Sequence, residues 1–170
     1  EGTVAADSAG EWVIAGTTIS DTGGNAIVPY ESTGNWTITA TTIRNSDADG
    51  IDAGRVDTGR IRNVSVTNVT DNGIIMAEAD GDWIVEDTTV REAGETGILA
   101  SGSEGSGTIR QVTVANAVDG VDFYKSNGDW RVRETTIRNA SRNGIVAVGS
   151  TGAPMVENTM FRDVGEGLDM

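Results

Sequence analysis

Apolar residues recur along this chain in three columns with a period near 24, and polar residues fill the spaces between them. One column reads Ile19, Ile43, Val66, Val90, Val114, Ile137 and Phe161, at intervals of 24, 23, 24, 24, 23 and 24. Five residues before each stands a second apolar residue: Ile14, Ile38, Ile61, Val85, Ile109, Val132 and Val156. Seven or eight residues after each comes a third: Ile27, Ile51, Ile74, Ile98, Val121, Ile145 and Leu168. Gly directly precedes six of these last seven, Ala26 being the exception. A fixed period with three apolar columns predicts a solenoid of seven repeats.

Within a repeat the alternation has period two, which predicts strands. In the second repeat Trp36 and Ile38 alternate with Thr37 and Thr39, and beyond the Asn45–Gly50 turn Ile51 and Ala53 face away from Asp52. Clusters of Gly, Asn and Asp separate three such stretches, giving three short strands and three turns per repeat. A propeller blade needs about twice this length. A parallel β-helix fits, with equivalent residues of successive coils stacked about 4.8 Å apart. The motifs G-I-x-x, T-T-I-R-N and I-R-N-V-S-V-T-N resemble the right-handed parallel β-helix repeats of the pectate-lyase-like superfamily. The expected architecture is therefore an all-β, right-handed parallel β-helix of about seven coils of 22–25 residues, one segment over 1–170.

Two further columns have physical readings. Asp21, Asn45, Asn68, Glu92, Asn116, Asn139 and Asp163 share one turn position, where Asn and Asp bond local backbone and tolerate left-handed φ. Thr17, Thr41, Val64, Thr88, Val112, Thr135 and Thr159 form an inward column. The tryptophan column reads Trp12, Trp36, Gly59, Trp83, Gly107, Trp130 and Pro154. An indole is thicker than one coil spacing, so a small neighbour should give it room. Trp12 beside Trp36 departs from that rule. Exposed, these rings would form a platform for sugars; their parity with the inward Ile column favours packing.

Composition changes the picture in two ways. Acids outnumber bases 26 to 12 for a net charge of −14, and Lys125 is the only lysine beside eleven arginines. That charge argues against nucleic acid, which needs a basic face. It suits solubility in high salt, where self-repulsion is screened, and resembles in composition the proteins of salt-loving archaea. There is no cysteine and no apolar run long enough to span a bilayer. Glu1–Ala5 matches Glu166–Met170 in repeat phase, and neither end carries a polar cap. The expectation is a piece of a longer chain, its open coils covered by flanking coils or by end-to-end self-association.

Candidate chemistry is sparse. The absence of histidine removes the usual general base, the commonest metal ligand and the Ser-His and Cys-His pairs. Asp49-Gly50-Ile51-Asp52 and Asp119-Gly120-Val121-Asp122 resemble part of the acidic motif of polygalacturonases, and the resemblance would make these four aspartates catalytic. That family's Gly-His-Gly and Arg-Ile-Lys motifs are absent. Asp52 and Asp122 should also lie three coils apart, about 14 Å, against roughly 5–9.5 Å for paired glycosidase carboxylates. Turn formation, as for Asn72 and Asn143 in the same column, is the favoured reading. Pectate lyases place an arginine close to a proline, whereas neither Pro29 nor Pro154 has an adjacent arginine. The epimerase Asp-Pro-His-Asp pattern is missing, and no cofactor is implied. Calcium on surface aspartates stays open, without the Gly-Gly-x-Gly-x-Asp repeat that would signal it.

One surface feature stands out. The outward column Ala15, Thr39, Arg62, Glu86, Arg110, Arg133, Glu157 stacks Arg110 beneath Arg133, and Arg131 shares their face. Like charges at one coil spacing would welcome an anion such as an acidic polysaccharide, unless Glu86, Glu134 and Glu157 neutralise them. Coils without long inserted loops and the missing motifs point to a non-catalytic structural or binding segment of a secreted or cell-surface protein. The alternative is a carbohydrate-active enzyme (polysaccharide lyase, hydrolase or epimerase) or its truncated body. A designed consensus solenoid is a third reading, against which the irregular outward positions argue.

Overall fold

The computed structural model describes residues 2–4 and 7–170, and every regular element among them is a strand. Of the terminal repeat segment noted above, Glu1 and Ala5 lie outside the described residues. Trp12–Ala15, Asn35–Thr39, Thr58–Arg62, Trp83–Glu86, Gly107–Arg110, Trp130–Arg133 and Met155–Glu157 stack in chain order as one seven-stranded sheet. All neighbours are parallel, as strands joined by full coils must be. The second and third strands of each coil form the remaining walls of a right-handed β-helix of about seven turns.

The register matches the sequence period residue for residue. Ile14 pairs with Ile38, Ile38 with Ile61, Ile19 with Ile43 and Ile74 with Ile98. The three apolar columns are buried through the middle coils, where Ile38, Ile61, Val85, Ile43, Val90 and Ile98 are all fully inaccessible. Three strands per coil hold in the first four coils and the seventh. In the fifth and sixth, the second and third strands fuse into Thr113–Asp122 and Thr136–Val146. The fifth corner, Asn116 to Gly120, is one residue shorter than the sixth, Asn139 to Gly144, and the register shifts there between Ala117 and Asp119.

Each coil turns three corners, and each corner carries a left-handed residue. The Asp21–Asp163 column has φ between 52° and 59° throughout, as its Asn and Asp content implied. A second such column runs Gly16, Ala40, Asn63, Asp87, Gln111, Glu134, Asn158, and a third Asp7, Glu31, Arg55, Glu78, Gly102, Lys125, Gly149. Few of these are glycine, so many corners hold a residue that prefers φ below zero, at about 1 kcal/mol or more each. Stacking must offset that. The inward threonines help: Thr41, Thr88 and Thr135 are buried, and each donates its hydroxyl to the carbonyl two residues back.

Size complementarity fills the interior. A side chain at Gly59 would overlap the Trp83 ring, and one at Gly107 the Trp130 ring. Each indole therefore leans onto the preceding coil. Trp36 leans the same way and meets Trp12 instead of glycine. The two rings stack with centroids 5.4 Å apart and planes 9° from parallel. Trp beside Trp is thus accommodated by stacking, and Trp36, Trp83 and Trp130 are core residues, not a surface platform. Their indole N–H groups find no acceptor among the described residues, a cost set against large apolar burial. A neighbouring interior column alternates in the same manner: Ala53, Met76, Ala100, Phe123, Ala147. The Gly before each third-strand apolar residue leaves room for the β-branched or aromatic side chain of the next coil. A side chain at Gly73, Gly97 or Gly144 would strike Val90, Val114 or Phe161.

At the second corner Asn45 donates to Asp21 (2.8 Å), Asn68 to Asn45 (2.9 Å) and Asn139 to Asn116 (2.8 Å). Glu92, at φ 57°, interrupts this ladder. Glu92→Asn should link its two halves and relieve the left-handed strain, stabilising by about 1 kcal/mol and raising the thermal midpoint by about 3 °C. An unchanged midpoint in a scanning-calorimetry comparison would mean that the ladder contributes nothing across this gap.

Candidate functional site

The four candidate aspartates sit at one corner and on the strand leaving it. Asn25, Asp49, Asn72 and Asp119 act there as acceptors for the next coil. Asn25 Oδ1 accepts the Asp49 N–H at 3.0 Å, Asp49 Oδ1 the Asn72 N–H at 2.9 Å and Asn72 Oδ1 the Thr96 N–H at 3.2 Å. Asp119 Oδ1 accepts both the N–H and the side-chain amide of Asn143 at 3.1 Å. Asp119 is fully buried, and the Arg142 guanidinium grips both its oxygens. This is a structural task, and Asn performs it in the same column.

Asp52 and Asp122 point outward on the following strand. Asp52 accepts the Gly54 N–H at 3.2 Å and the Asn25 amide at 3.1 Å. Asp122 accepts the Tyr124 N–H at 2.6 Å. Burial pushes the Asp49, Asp52 and Asp122 carboxyls above the ordinary aspartate range, with the neighbouring acid adding to the shift in each case. The register Asp52–Ile75–Leu99–Asp122 keeps the two outward aspartates three rungs apart, about 14 Å. The structure therefore brings Asp49 near Asp52 and Asp119 near Asp122, but does not bring the two motifs together. Arg142 divides two shallow hollows here. One of about 400 Å³ lies against Asp122, Tyr124, Asn143 and Asp169, and one of about 390 Å³ against Glu95, Thr96 and Val118.

The arginine candidates lie on the outward face of the seven-stranded sheet. Arg110 and Arg133 are register partners, as are Thr108 and Arg131. Arg110, however, is not available in the way its column suggested. Its guanidinium is bound by Glu86, which is 1% exposed and also takes Arg60, with Arg62 at 3.6 Å. Burial raises the pKa of Glu86, but hydrogen bonds from Arg60 and Arg110 outweigh it and hold the carboxyl below the ordinary glutamate range. A carboxylate in the column between Arg62 and Arg110 turns three mutually repelling cations into one network. Glu134 and Glu157 make no ion pair among the described residues, and neither do Arg131 and Arg133.

Four consecutive strands, Thr58–Arg62, Trp83–Glu86, Gly107–Arg110 and Trp130–Arg133, thus carry five outward arginines against Glu86 alone. Sequence reading singled out Arg110, Arg131 and Arg133 but missed Arg60, whose tie to Glu86 runs diagonally from a neighbouring column. Among the described residues no group of three or more metal-ligating side chains converges. No helix is long and apolar enough to cross a membrane. A family model described as a right handed beta helix region matches residues 2–161, nearly the whole chain. No curated protein and no solved structure matches.

The two motifs should respond differently to loss of charge. Asp49→Asn keeps the Oδ1 acceptor and removes a desolvated charge, so at pH 7 the thermal midpoint should rise by about 2 °C. A raised carboxyl costs stability above its folded pKa and nothing once protonated in both states. The gain should therefore shrink as pH falls into the ordinary aspartate range. Asp119→Asn strips the charge that holds Arg142 and should cost about 1–2 kcal/mol at pH 7. Equal effects of the two variants in pH-dependent thermal melts would contradict these assignments.

Proposed function

Since the chain belongs to the right-handed β-helix family, we propose that it is a non-catalytic binding segment whose arginine-bearing sheet face contacts anionic polysaccharide outside the cell. The observation that carries this is an imbalance. In a protein with 26 acids and 12 bases, Arg131 and Arg133 stand two residues apart on one strand without a carboxylate partner among the described residues. A strongly acidic chain in which these two cations make no ion pair among the described residues, on four successive strands whose only acid is Glu86 and with Glu157 in register beside Arg133 yet not paired to it, is suited to receive negative charge there. Arginine suits carboxylate and sulfate, which it grips through two parallel hydrogen bonds. The face is open across four strands, which suits an extended polymer.

A second reading, a carbohydrate-active enzyme, rests on Asp122. Burial raises its carboxyl, and it lines the 400 Å³ hollow with Asp169, two rungs away through Val146. Two rungs, roughly 9.6 Å, lie at the upper edge of the separations used by inverting glycosidases.

Titration calorimetry with polyglucuronate and a sulfated polysaccharide separates the readings. Arg131→Ala with Arg133→Ala should weaken binding at least tenfold, while added salt weakens binding by the native protein. Binding untouched by the double variant would refute the proposed face. Release of reducing ends that disappears in Asp122→Asn would establish the enzyme instead.

A further inference from the structure

The arginine face is not level. On the fifth coil the outward residues Ser106 and Thr108 are short, while their neighbours on the coils to either side are long. Asp82 and Ile84 rise on one side, Asp129 and Arg131 on the other. The result is a trough of about 430 Å³, floored by Ser106, Gly107 and Thr108, within the size range of ligand clefts. It runs along the strand for about 7 Å, the rise over its floor, and crosses the solenoid axis. Arg110, held by Glu86, stands at one end with Arg133 beside it.

The two ends of the trough differ in chemistry. At the Thr108 end are donors, Arg131 and Arg133, neither of which makes an ion pair among the described residues. At the Ser106 end are acceptors. Asp82 Oδ1 accepts the Ser106 N–H at 3.0 Å and Asp129 Oδ1 the Ala153 N–H at 3.0 Å. These bonds fix both carboxylates and leave each Oδ2 without a partner among the described residues. Between the ends, Ile84 is 37% exposed and offers an apolar wall. A matching ligand carries one negative group at one end, hydroxyl donors at the other and a ring face between. A multiply charged phosphate would meet Asp82 and Asp129 and be repelled.

We propose that this trough is a subsite for a single anionic sugar residue lying crosswise to the coils. Its carboxylate or sulfate sits on Arg131, flanked by Arg133. Its hydroxyls donate to Asp82 and Asp129, and its ring rests on Ile84 and Thr108. The inference rests on the reading of the arginine face given above and adds to it a position, an orientation and a residue-sized limit.

The test uses the amide spectrum of the whole chain, titrated with glucuronate, glucose 6-sulfate and neutral glucose. The expected result is saturable shifts at Ser106 to Thr108 with one or both anions, at least tenfold weaker with glucose. Thr108→Leu fills the floor on a solvent-facing position and should abolish them with the thermal midpoint unchanged. Whichever anion binds identifies the acid group as carboxylate or sulfate. Shifts confined to other coils, no saturable shift, or affinity unchanged in Thr108→Leu would overturn the trough. Polymer binding that is lost in the Arg131/Arg133 double variant but intact in Thr108→Leu would refute the subsite while leaving the arginine face standing. Polymer binding indifferent to both variants would refute the face as well.

Discussion

Stacking every residue on its counterpart from the preceding coil, about 4.8 Å away, is the constraint on which the rest of this molecule depends. In a globule a large side chain can find space in any direction. Here its nearest neighbours are set by the period, so each column must solve its own packing problem. The Trp column does so by placing glycine beneath Trp83 and Trp130 and by stacking Trp36 on Trp12. The Ala53–Met76–Ala100–Phe123–Ala147 column does so by alternating small and large. Buried serines follow the same logic for polarity. Ser103 donates to the Met76 carbonyl at 2.8 Å and Ser126 to that of Ala100 at 2.6 Å, so neither hydroxyl is left unpaired inside.

The same constraint decides what the surface can do. Corner residues are drawn into ladders that bind each coil to the next, and these ladders absorb Asp49, Asp119, Asp82 and Asp129 in structural duty. Carboxylates that look catalytic in a linear motif are then acceptors for neighbouring N–H groups. On the sheet face, stacking of like charges is relieved only where an opposite charge falls into the column. Glu86 provides this for Arg60, Arg62 and Arg110. Glu157 falls beside Arg133 in the column, but neither Arg131 nor Arg133 makes an ion pair among the described residues, and the function proposed above follows from that difference.

The columns of the interior were legible in the sequence because a solenoid writes its contacts at a fixed spacing. Ile14 to Val156 and Ile19 to Phe161 needed only counting, and so did the left-handed Asn and Asp column. Two corners escaped notice because their left-handed residues include Ala40, Gln111, Glu31 and Arg55, side chains with no preference for that conformation. Tertiary stacking imposes their φ, so composition carries no trace of it. The fused strands of coils five and six leave no mark in the sequence, since the fifth corner has five residues and the sixth has six, the length of the unfused corners before them. The role of Glu86 was half visible. Its place between Arg62 and Arg110 could be read from one column, but its reach to Arg60 crosses columns, and its near-complete burial is a property of long side chains closing over it.

Coupling between neighbouring coils is best tested where one glycine has a tryptophan on each side. Gly107 is in register with both Trp83 and Trp130, yet only the Trp130 ring lies over it, since each indole leans toward the preceding coil. Gly107→Val should cost on the order of 1–3 kcal/mol by overpacking. Double-mutant cycles pairing it with Trp130→Ala and, separately, with Trp83→Ala measure how that cost is shared. The account predicts an interaction energy above about 1 kcal/mol with Trp130 and close to zero with Trp83. Equal coupling to both tryptophans, or none to Trp130, would contradict it.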